Sequence, residues 1–394
     1  VAPNRFEIDR ETPASGGYVI APESGLYKNI ALFDFKSLYP TIIQTFHIDP
    51  YSKLCSENNT IKTPGGLEFS KDEYILPDVI ESLKKKRSLA KHNNERELSQ
   101  AIKILMNSFY GVMGSSRSRF YHADLPQAIT TTGKYILEVA INFFKEKGFK
   151  TIYGDTDSLF VELSSHDSVF AKDLCHQLNI FLGSHLKETF GVDSHLECEF
   201  EAFYEKIFFP KLRSSTQGAK KKYVGLINSN VIFKGMESIR SDSTELSKDF
   251  QHKLFERFFK QGELETFIKD YISNLKAGFF DDYLVYTKRL SKPIEEYKKN
   301  IPPHVKAAMK INHQGPYRLK EVSYVYTRQG VEPINNNPKS FDYEHYIEKQ
   351  LKAFRSGKRE HEMMSLVAKN LTDQQISDLA AWYQSIEITA KMPE

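Results

Sequence analysis

The alternation of apolar and polar positions predicts strands and helices interspersed along the whole chain. Ile30 to Phe33 is an unbroken apolar run closed by Asp34, the pattern of a strand buried on both faces with a carboxylate at its mouth. A helix is expected from Ser37, with Pro40 tolerated in its first turn. Residues 1–29, rich in Gly, Pro and Ser, read as loops around a short strand at Tyr18 to Ala21, and Asn58 to Gly66 reads as loop. From Leu76 two helical patterns flank the polar stretch His92 to Glu97, which predicts a helical hairpin. A helix near Leu125 to Lys147, a β-hairpin at Thr151 to Leu163 and a helix around Ser168 to Phe190 follow. Glu199 to Leu226 resolves into two strands joined by a Ser214 to Ala219 turn. Thr244 to Lys299 reads as mostly amphipathic helix, broken at Pro302-Pro303.

Length and composition narrow the classes. At about 150 residues per domain, 394 residues make two or three domains. Hydrophobic residues at 40% and charged residues at 27% are ordinary for a globular chain and exclude wholesale disorder. No apolar run approaches a membrane span and no leader pattern is seen, so a cytoplasmic protein without membrane contact is expected. Starting at Val1 rather than methionine, the chain is read as a fragment or a processed product. Cys55, Cys175 and Cys198 are too widely spaced for a zinc or redox motif, and reduced core thiols are expected. The net charge of +3 does not by itself point to a polyanionic partner. The placement of charge is more telling: basic clusters at Lys84 to Arg87, Lys220 to Lys222 and Lys288 to Lys299 suit phosphate binding, whereas the notable carboxylates end apolar runs.

Tyr153-Gly154-Asp155-Thr156-Asp157-Ser158, flanked by apolar residues on both sides, predicts a tight hairpin. Asp155 and Asp157 share a face if the backbone is extended there. Carboxylates so close repel one another and call for a cation, and hard oxygen donors favour Mg²⁺ or Mn²⁺ over Zn²⁺. Gly and Asp also make plain solvated turns, so both readings stand. Asp34 would be the third carboxylate of a two-metal site for in-line attack at phosphorus. In the helical hairpin, Lys84, Arg87 and Lys91 lie at i, i+3 and i+7, and Lys103, Asn107 and Tyr110 at i, i+4 and i+7. Apolar Ile102, Met106, Phe109 and Met113 take the opposite side. With the turn centred near Glu95, Arg87 and Lys103 fall at similar height, where two cations would suit a triphosphate. A solvated basic helix has the same spacing. Lys220-Lys221-Lys222-Tyr223 opens a strand and serves either to track a nucleic-acid backbone or to discourage edge aggregation. Tyr39 either packs or closes off space at a sugar.

These segments together resemble a known family. Asp34-Phe35-Lys36-Ser37-Leu38-Tyr39-Pro40-Thr41-Ile42 resembles motif A of family B DNA polymerases, and Lys103 through Asn107-Ser108-Phe109-Tyr110-Gly111 resembles motif B. Tyr153 to Ser158 resembles motif C, and Lys221-Lys222-Tyr223 the KxY-type motif that holds primer-template duplex; the order is the family's own. Lys234-Gly235-Met236-Glu237 with Arg240 and Asp242, then Pro302-Pro303-His304-Val305, resemble bacterial members in particular. The likeness runs from about residue 16 to about 351.

The resemblance implies an α+β fold: an antiparallel-sheet palm at residues 1–75 and 120–225, helical-hairpin fingers at 76–119 and a mainly helical thumb at 226–354. It implies template-directed DNA synthesis with Asp34 and Asp157 as the main metal ligands, Asp155 as an additional carboxylate and the Phe35 carbonyl facing a metal. Two Mg²⁺ ions, replaceable by Mn²⁺, are the implied cofactors. Backbone N–H groups of Ser37, Leu38 and Tyr39 would cradle the incoming deoxynucleoside triphosphate, with Arg87, Lys91, Lys103 and Asn107 completing the clamp and Tyr39 as steric gate. Tyr110, Gly111, Lys221, Lys222 and Tyr223 would meet primer-template DNA. A monomer is expected, and no sliding clamp is specified. Thr41 stands where serine is usual, and Ser241 where a second arginine is common. The family's proofreading exonuclease domain would precede residue 1, so no 3′–5′ exonuclease activity is expected of this chain. Beyond about Phe354 the pattern changes: Arg355 to Glu394 resembles the end of a class I cytochrome c, with Met363-Met364 at the axial position and a helical Leu371 to Tyr383. The chain has no CxxCH, so a haem-free tail is expected. Two other readings remain at this point, a primer-template binding fragment without useful turnover and an electron-transfer protein.

Overall fold

The computed structural model describes residues 19–56, 59–115, 117–164, 167–210, 219–236, 243–298, 301–311 and 319–347. The chain divides into two compact units, Val1–Pro22 with Tyr27–Glu205, and Glu23–Leu26 with Lys206–Glu394. The class is α+β, with antiparallel strand pairs among the described residues.

The first unit opens with β1 (Val19–Ile20), β2 (Gly25–Phe35), α1 (Leu38–Phe46) and α2 (Pro50–Leu54). Next come β3 (Thr60–Lys62), β4 (Glu68–Ser70), α3 (Leu76–His92), α4 (Arg96–Gly114) and α5 (Asp124–Glu146). It closes with β5 (Lys150–Asp155), β6 (Ser158–Glu162), α6 (Ser168–Phe190) and the start of β7 (Cys198–Phe209). The strands lie in the order β1-β5-β6-β2-β7. Alternation assigns the faces of β2. Ala31, Phe33 and Phe35 point into the main core with Leu159 and Val161 of β6, and Phe33 meets Phe144 of α5 at 4.8 Å between ring centroids. Ile30, Leu32 and Asp34 take the other face.

The helices follow their local signals. The Asp167 carboxylate caps α6 by accepting the Val169 and Phe170 N–H groups, both at 3.0 Å, and Gly191 ends it at φ 67°. In α4, Ile102, Met106 and Met113 are buried and Phe109 partly so, as the apolar spacing requires. Buried Cys175 donates its Sγ–H to the Cys198 carbonyl at 3.2 Å, and Asn179 brackets Cys198 by accepting its N–H and donating to its carbonyl, each at 2.8 Å. All three cysteines are free thiols.

In the second unit the end of β7 pairs with β8 (Tyr223–Ile227), which pairs with β9 (Asn230–Lys234). Then come α7 (Glu245–Phe259), α8 (Leu264–Lys276), β10 (Tyr286–Arg289), α9 (Pro303–Met309), β11 (Glu321–Thr327) and β12 (Gly330–Pro333), the last three strands forming a sheet in the order β10-β11-β12.

Four local expectations are corrected. The expected loop at Asn58 to Gly66 contains the first strand, β3, of a small hairpin with β4, in which Ile61 and Phe69 are the buried apolar residues; strands this short carry too little alternation to be read. The polar break in the helical hairpin shrinks to Asn93–Glu95 and turns at Asn94, φ 58°. The mostly helical stretch expected over Thr244 to Lys299 is two helices, α7 and α8, and ends at Lys276, before Gly278 at φ 85°; Tyr286–Arg289 is a strand stabilised by pairing with β11, a partner distant in sequence. Pro303 starts a helix rather than only ending one, since its missing N–H is no loss in a first turn. Glu237, Arg240, Ser241, Asp242, Lys299 and the whole cytochrome-like stretch, Arg355 to Glu394, lie outside the described residues.

Candidate active site

The sheet register brings the acidic residues of motifs A and C together. Asp34 is paired with Ser158, and Ser158 is paired on its other side with Asp155. Cross-strand partners share a face, so Asp34 and Asp155 stand on one face of the sheet, two strand spacings apart, roughly 10 Å. Asp157 occupies the two-residue turn between β5 and β6. Its carbonyl accepts the Phe35 N–H at 2.8 Å, and its own N–H bonds the Asp155 carbonyl at 2.6 Å. Thr156, at φ 59°, bends the backbone between the two aspartates, so they are not displayed by an extended segment as the simplest strand geometry would have it. The Thr156 hydroxyl donates to Asp155 Oδ1 at 3.1 Å.

The electrostatics identify which carboxylates act on Asp34. Burial pushes Asp34 up from an ordinary 3.8 to about 7, helped by the negative charges of Asp157, Glu201 and Glu199, while Lys103 pulls the other way. The Asp34–Asp157 pair is therefore the centre of a patch with surplus negative charge. Among the described residues no three carboxylate, imidazole or thiol groups form a ready-made metal cradle. The donor set nonetheless fits a hard divalent cation. Its donors are carboxylate oxygens, and a half-buried carboxylate crowded by like charge is relieved by a cation.

Glu199 and Glu201 of β7 are missed by motif reasoning. A period-two signal does mark them: in Glu197-Cys198-Glu199-Phe200-Glu201 the core takes Cys198 and Phe200, leaving Glu199 and Glu201 on Asp34's face. Lys36 ties this strand to the end of β2, with Nζ at 2.5 Å from Glu197 and 3.0 Å from Glu199.

The residues after Asp34 form the second component. Ser37 takes a left-handed backbone, φ 51°, and precedes α1 without a side-chain cap, and the first α-helical bond runs from Thr41 N to Ser37 O at 3.0 Å. The preceding N–H groups, of Leu38 and Tyr39, have no partner within the helix and carry its positive end. Tyr39 is half-buried, its ring 4.7 Å from that of Tyr110. Burial first, then Tyr110 and Asp157, push the Tyr39 hydroxyl up to about 12, so it stays protonated near Asp157.

The helical hairpin supplies the cations unequally. Lys103 acts on Asp34, and Lys91, Lys103, Asn107 and Gly111 are exposed. Arg87 is partly buried, with no hydrogen-bond partner on its buried Nε. With the turn at Asn94, Arg87 and Lys103 lie seven and nine residues from it, an axial offset of about 3 Å rather than equal height. Lys84 does not join the open face; it donates to Gln44 Oε1 at 3.1 Å. Lys221, Lys222 and Tyr223 belong to the second unit, where Lys221 has φ 61° and Tyr223 begins β8.

The family model for DNA polymerase family B matches residues 1–356. The chain belongs to that family. Among relatives, DNA polymerase II of Escherichia coli (strain K12) is 35% identical over 379 residues, covering 91% of this chain and 48% of the relative. The DNA polymerase of Thermococcus gorgonarius is 29% identical over 382 residues, covering 89% and 47%. The structure of the family B DNA polymerase from Pyrobaculum calidifontis superposes with a TM-score of 0.61 at 25% identity, covering 99% of this chain and 49% of that one. The chain thus spans about half the length of the relatives it matches. No helix among the described residues is long and apolar enough to cross a membrane.

Proposed function

We propose that this chain is the catalytic core of a template-directed DNA polymerase, adding deoxynucleotides to a primer 3′-hydroxyl and releasing pyrophosphate. The observation that carries the reading is Asp34 beside Asp157, with Lys103 acting on the same carboxylate and the amide end of α1 a few residues on. Asp34, Asp157 and the Phe35 carbonyl are the groups that would hold divalent ions, Mg²⁺ or Mn²⁺, with Asp155 as an additional carboxylate. Two such ions, when bound, would supply Lewis-acid activation of the attacking hydroxyl and charge neutralisation for the leaving pyrophosphate. The N–H groups of Ser37, Leu38 and Tyr39 bind triphosphate oxygens, and Arg87, Lys91, Lys103 and Asn107 orient them. Tyr39, held by Tyr110, fills the space a ribose 2′-hydroxyl would need. Tyr110, Gly111, Lys221, Lys222 and Tyr223 grip primer-template DNA. In this reading residues 1–75 and 120–225 are palm, 76–119 fingers and 226–354 thumb. The haem-free cytochrome-like tail, residues 355–394, is a separate proposal carried by its sequence pattern, and a Soret band in purified protein would reject it.

Primer extension tests the function. Wild type extends a primed template in Mg²⁺, and Asp157→Ala binds the same DNA without extending it. Wild-type binding with no extension in Mg²⁺ or Mn²⁺ rejects the enzyme and leaves a DNA-binding fragment.

A further inference from the structure

The α3–α4 hairpin carries Arg87, Lys91 and Lys103, yet its first helix is not capped by its own sequence. Ile75, at the N-cap of α3, has no side-chain acceptor. The cap arrives from 26 residues upstream: Asp49 Oδ2 accepts the Ile75 N–H at 2.6 Å and the Leu76 N–H at 2.9 Å. Its Oδ1 accepts the Ser52 N–H at 2.7 Å, so one carboxylate caps both α2 and α3. Asp49 is only 1% exposed. Burying a carboxylate is costly unless it is fully hydrogen-bonded, and three N–H donors at two helix starts meet that requirement. A local Ser or Asp would stabilise α3 equally well. A remote cap does more, because it fixes where the helix begins relative to the end of α1.

A second clip lies further along. Gln44 of α1, 3% exposed, donates to Glu81 at 3.0 Å and accepts from Lys84 at 3.1 Å. The two clips are five to nine residues apart along α3 and its N-cap, about 8–14 Å, and two separated points fix a direction. Beyond them Lys85, Lys86, Ser88, Leu89 and Lys91 are exposed. Arg87 lies about 16 Å along the axis from Leu76, so a 10° tilt, about one-sixth of a radian, moves it by about 3 Å. That exceeds the tolerance of a hydrogen bond.

We infer that Asp49, with Gln44, is a positioning residue that sets the pitch of the α3–α4 hairpin and thereby the reach of Arg87, Lys91 and Lys103 toward the nucleotide. The inference rests on the triphosphate reading above and adds residues that touch neither substrate nor metal. In Asp49→Asn one accepting oxygen becomes an amino group turned toward N–H donors. The expected result is a KM for the incoming nucleotide raised about tenfold with kcat within about threefold, and a matching loss in equilibrium binding of Mg-dATP. The loss shrinks in a Lys103→Ala background, because the pair acts on one variable. A folded Asp49→Asn with unchanged KM and Mg-dATP affinity, or with effects fully additive to Lys103→Ala, overturns the inference. If Asp49→Asn does not fold, Gln44→Met, which keeps volume and removes both hydrogen bonds of its clip, decides on the same two readouts. Failure of the polymerase reading is seen separately, in wild type that does not extend a primer; Mg-dATP binding then still judges the positioning role.

Discussion

Replacing Asp34 by Asn offers a test of the site that needs no turnover. In the metal-free protein the Asp34 carboxyl sits at about 7 against an ordinary 3.8, chiefly through burial and then through Asp157, Glu201 and Glu199. The folded state therefore holds this proton more tightly than the unfolded state. Stability is full below about pH 3.8, falls as pH rises between the two values, and has lost its share above about pH 7. The raw difference, about three pH units at about 1.4 kcal/mol each, is about 4 kcal/mol, and solvent screening of a carboxyl that is only half-buried reduces it to about 2. Asn carries no charge at any pH and escapes the loss. About two of those three pH units fall between pH 5 and pH 8, so with a urea m-value of about 2 kcal/mol per molar, wild type in EDTA should lose about 0.7 M in midpoint across that window relative to Asp34→Asn. Saturating Mg²⁺ at pH 8 should restore wild type and leave the variant unmoved, since only the wild-type site gains an ion. Parallel pH dependence of the two proteins in EDTA, or equal Mg²⁺ stabilisation, would show that Asp34 is not in a crowded acidic pocket.

Tyr39→Ala should raise ribonucleotide insertion relative to deoxynucleotide insertion by tenfold or more, measured in single-nucleotide extension; unaltered sugar selectivity would remove the gate role. Lys103→Ala should weaken nucleotide binding and, by removing the cation that lowers the Asp34 titration, shift the pH profile of urea stability upward. Asn179→Ala removes the side-chain acceptor of the Cys198 N–H and one of the two donors to its carbonyl, leaving the Cys175 thiol, and should cost about 1–3 kcal/mol in urea unfolding of the first unit. Gly235→Ala should destabilise the second unit by more than about 1 kcal/mol, because Gly235 has φ 62° and an added Cβ would lie 2.1 Å from the Lys221 carbonyl oxygen; a neutral thermal shift would contradict this geometry.

What the sequence made legible is what short-range rules control. The α3–α4 hairpin, α5, α6 and the β5–β6 hairpin follow from period and turn residues within a few positions of each other, with a local side-chain cap at α6. The β3–β4 pair and β10 were illegible for the same reason: each is a short strand defined by its partner rather than by its own pattern. At the site, Asp34 is marked by ending an apolar run and Asp157 by a turn set between two apolar runs, but their nearness depends on the register of β2 with β6. Glu199 and Glu201 belong to no motif, and the neighbouring β2 makes them part of Asp34's electrostatic surroundings. Lys84 reads as one more clamp cation until its bond to Gln44 is seen, a contact across 40 residues.

The ladder from Ile30 to Asp34 has a consequence for how this chain tolerates change. Inserting or deleting one residue in β2 would put Asp34 where Phe35 or Phe33 now fills the core and would turn a phenylalanine outward. Such a copy would fail at folding, before any question of rate arose. Misaligned versions of the reactive edge are thus removed by quality control on folding itself, and the aim of the carboxylate is guarded by the greasy residues beside it.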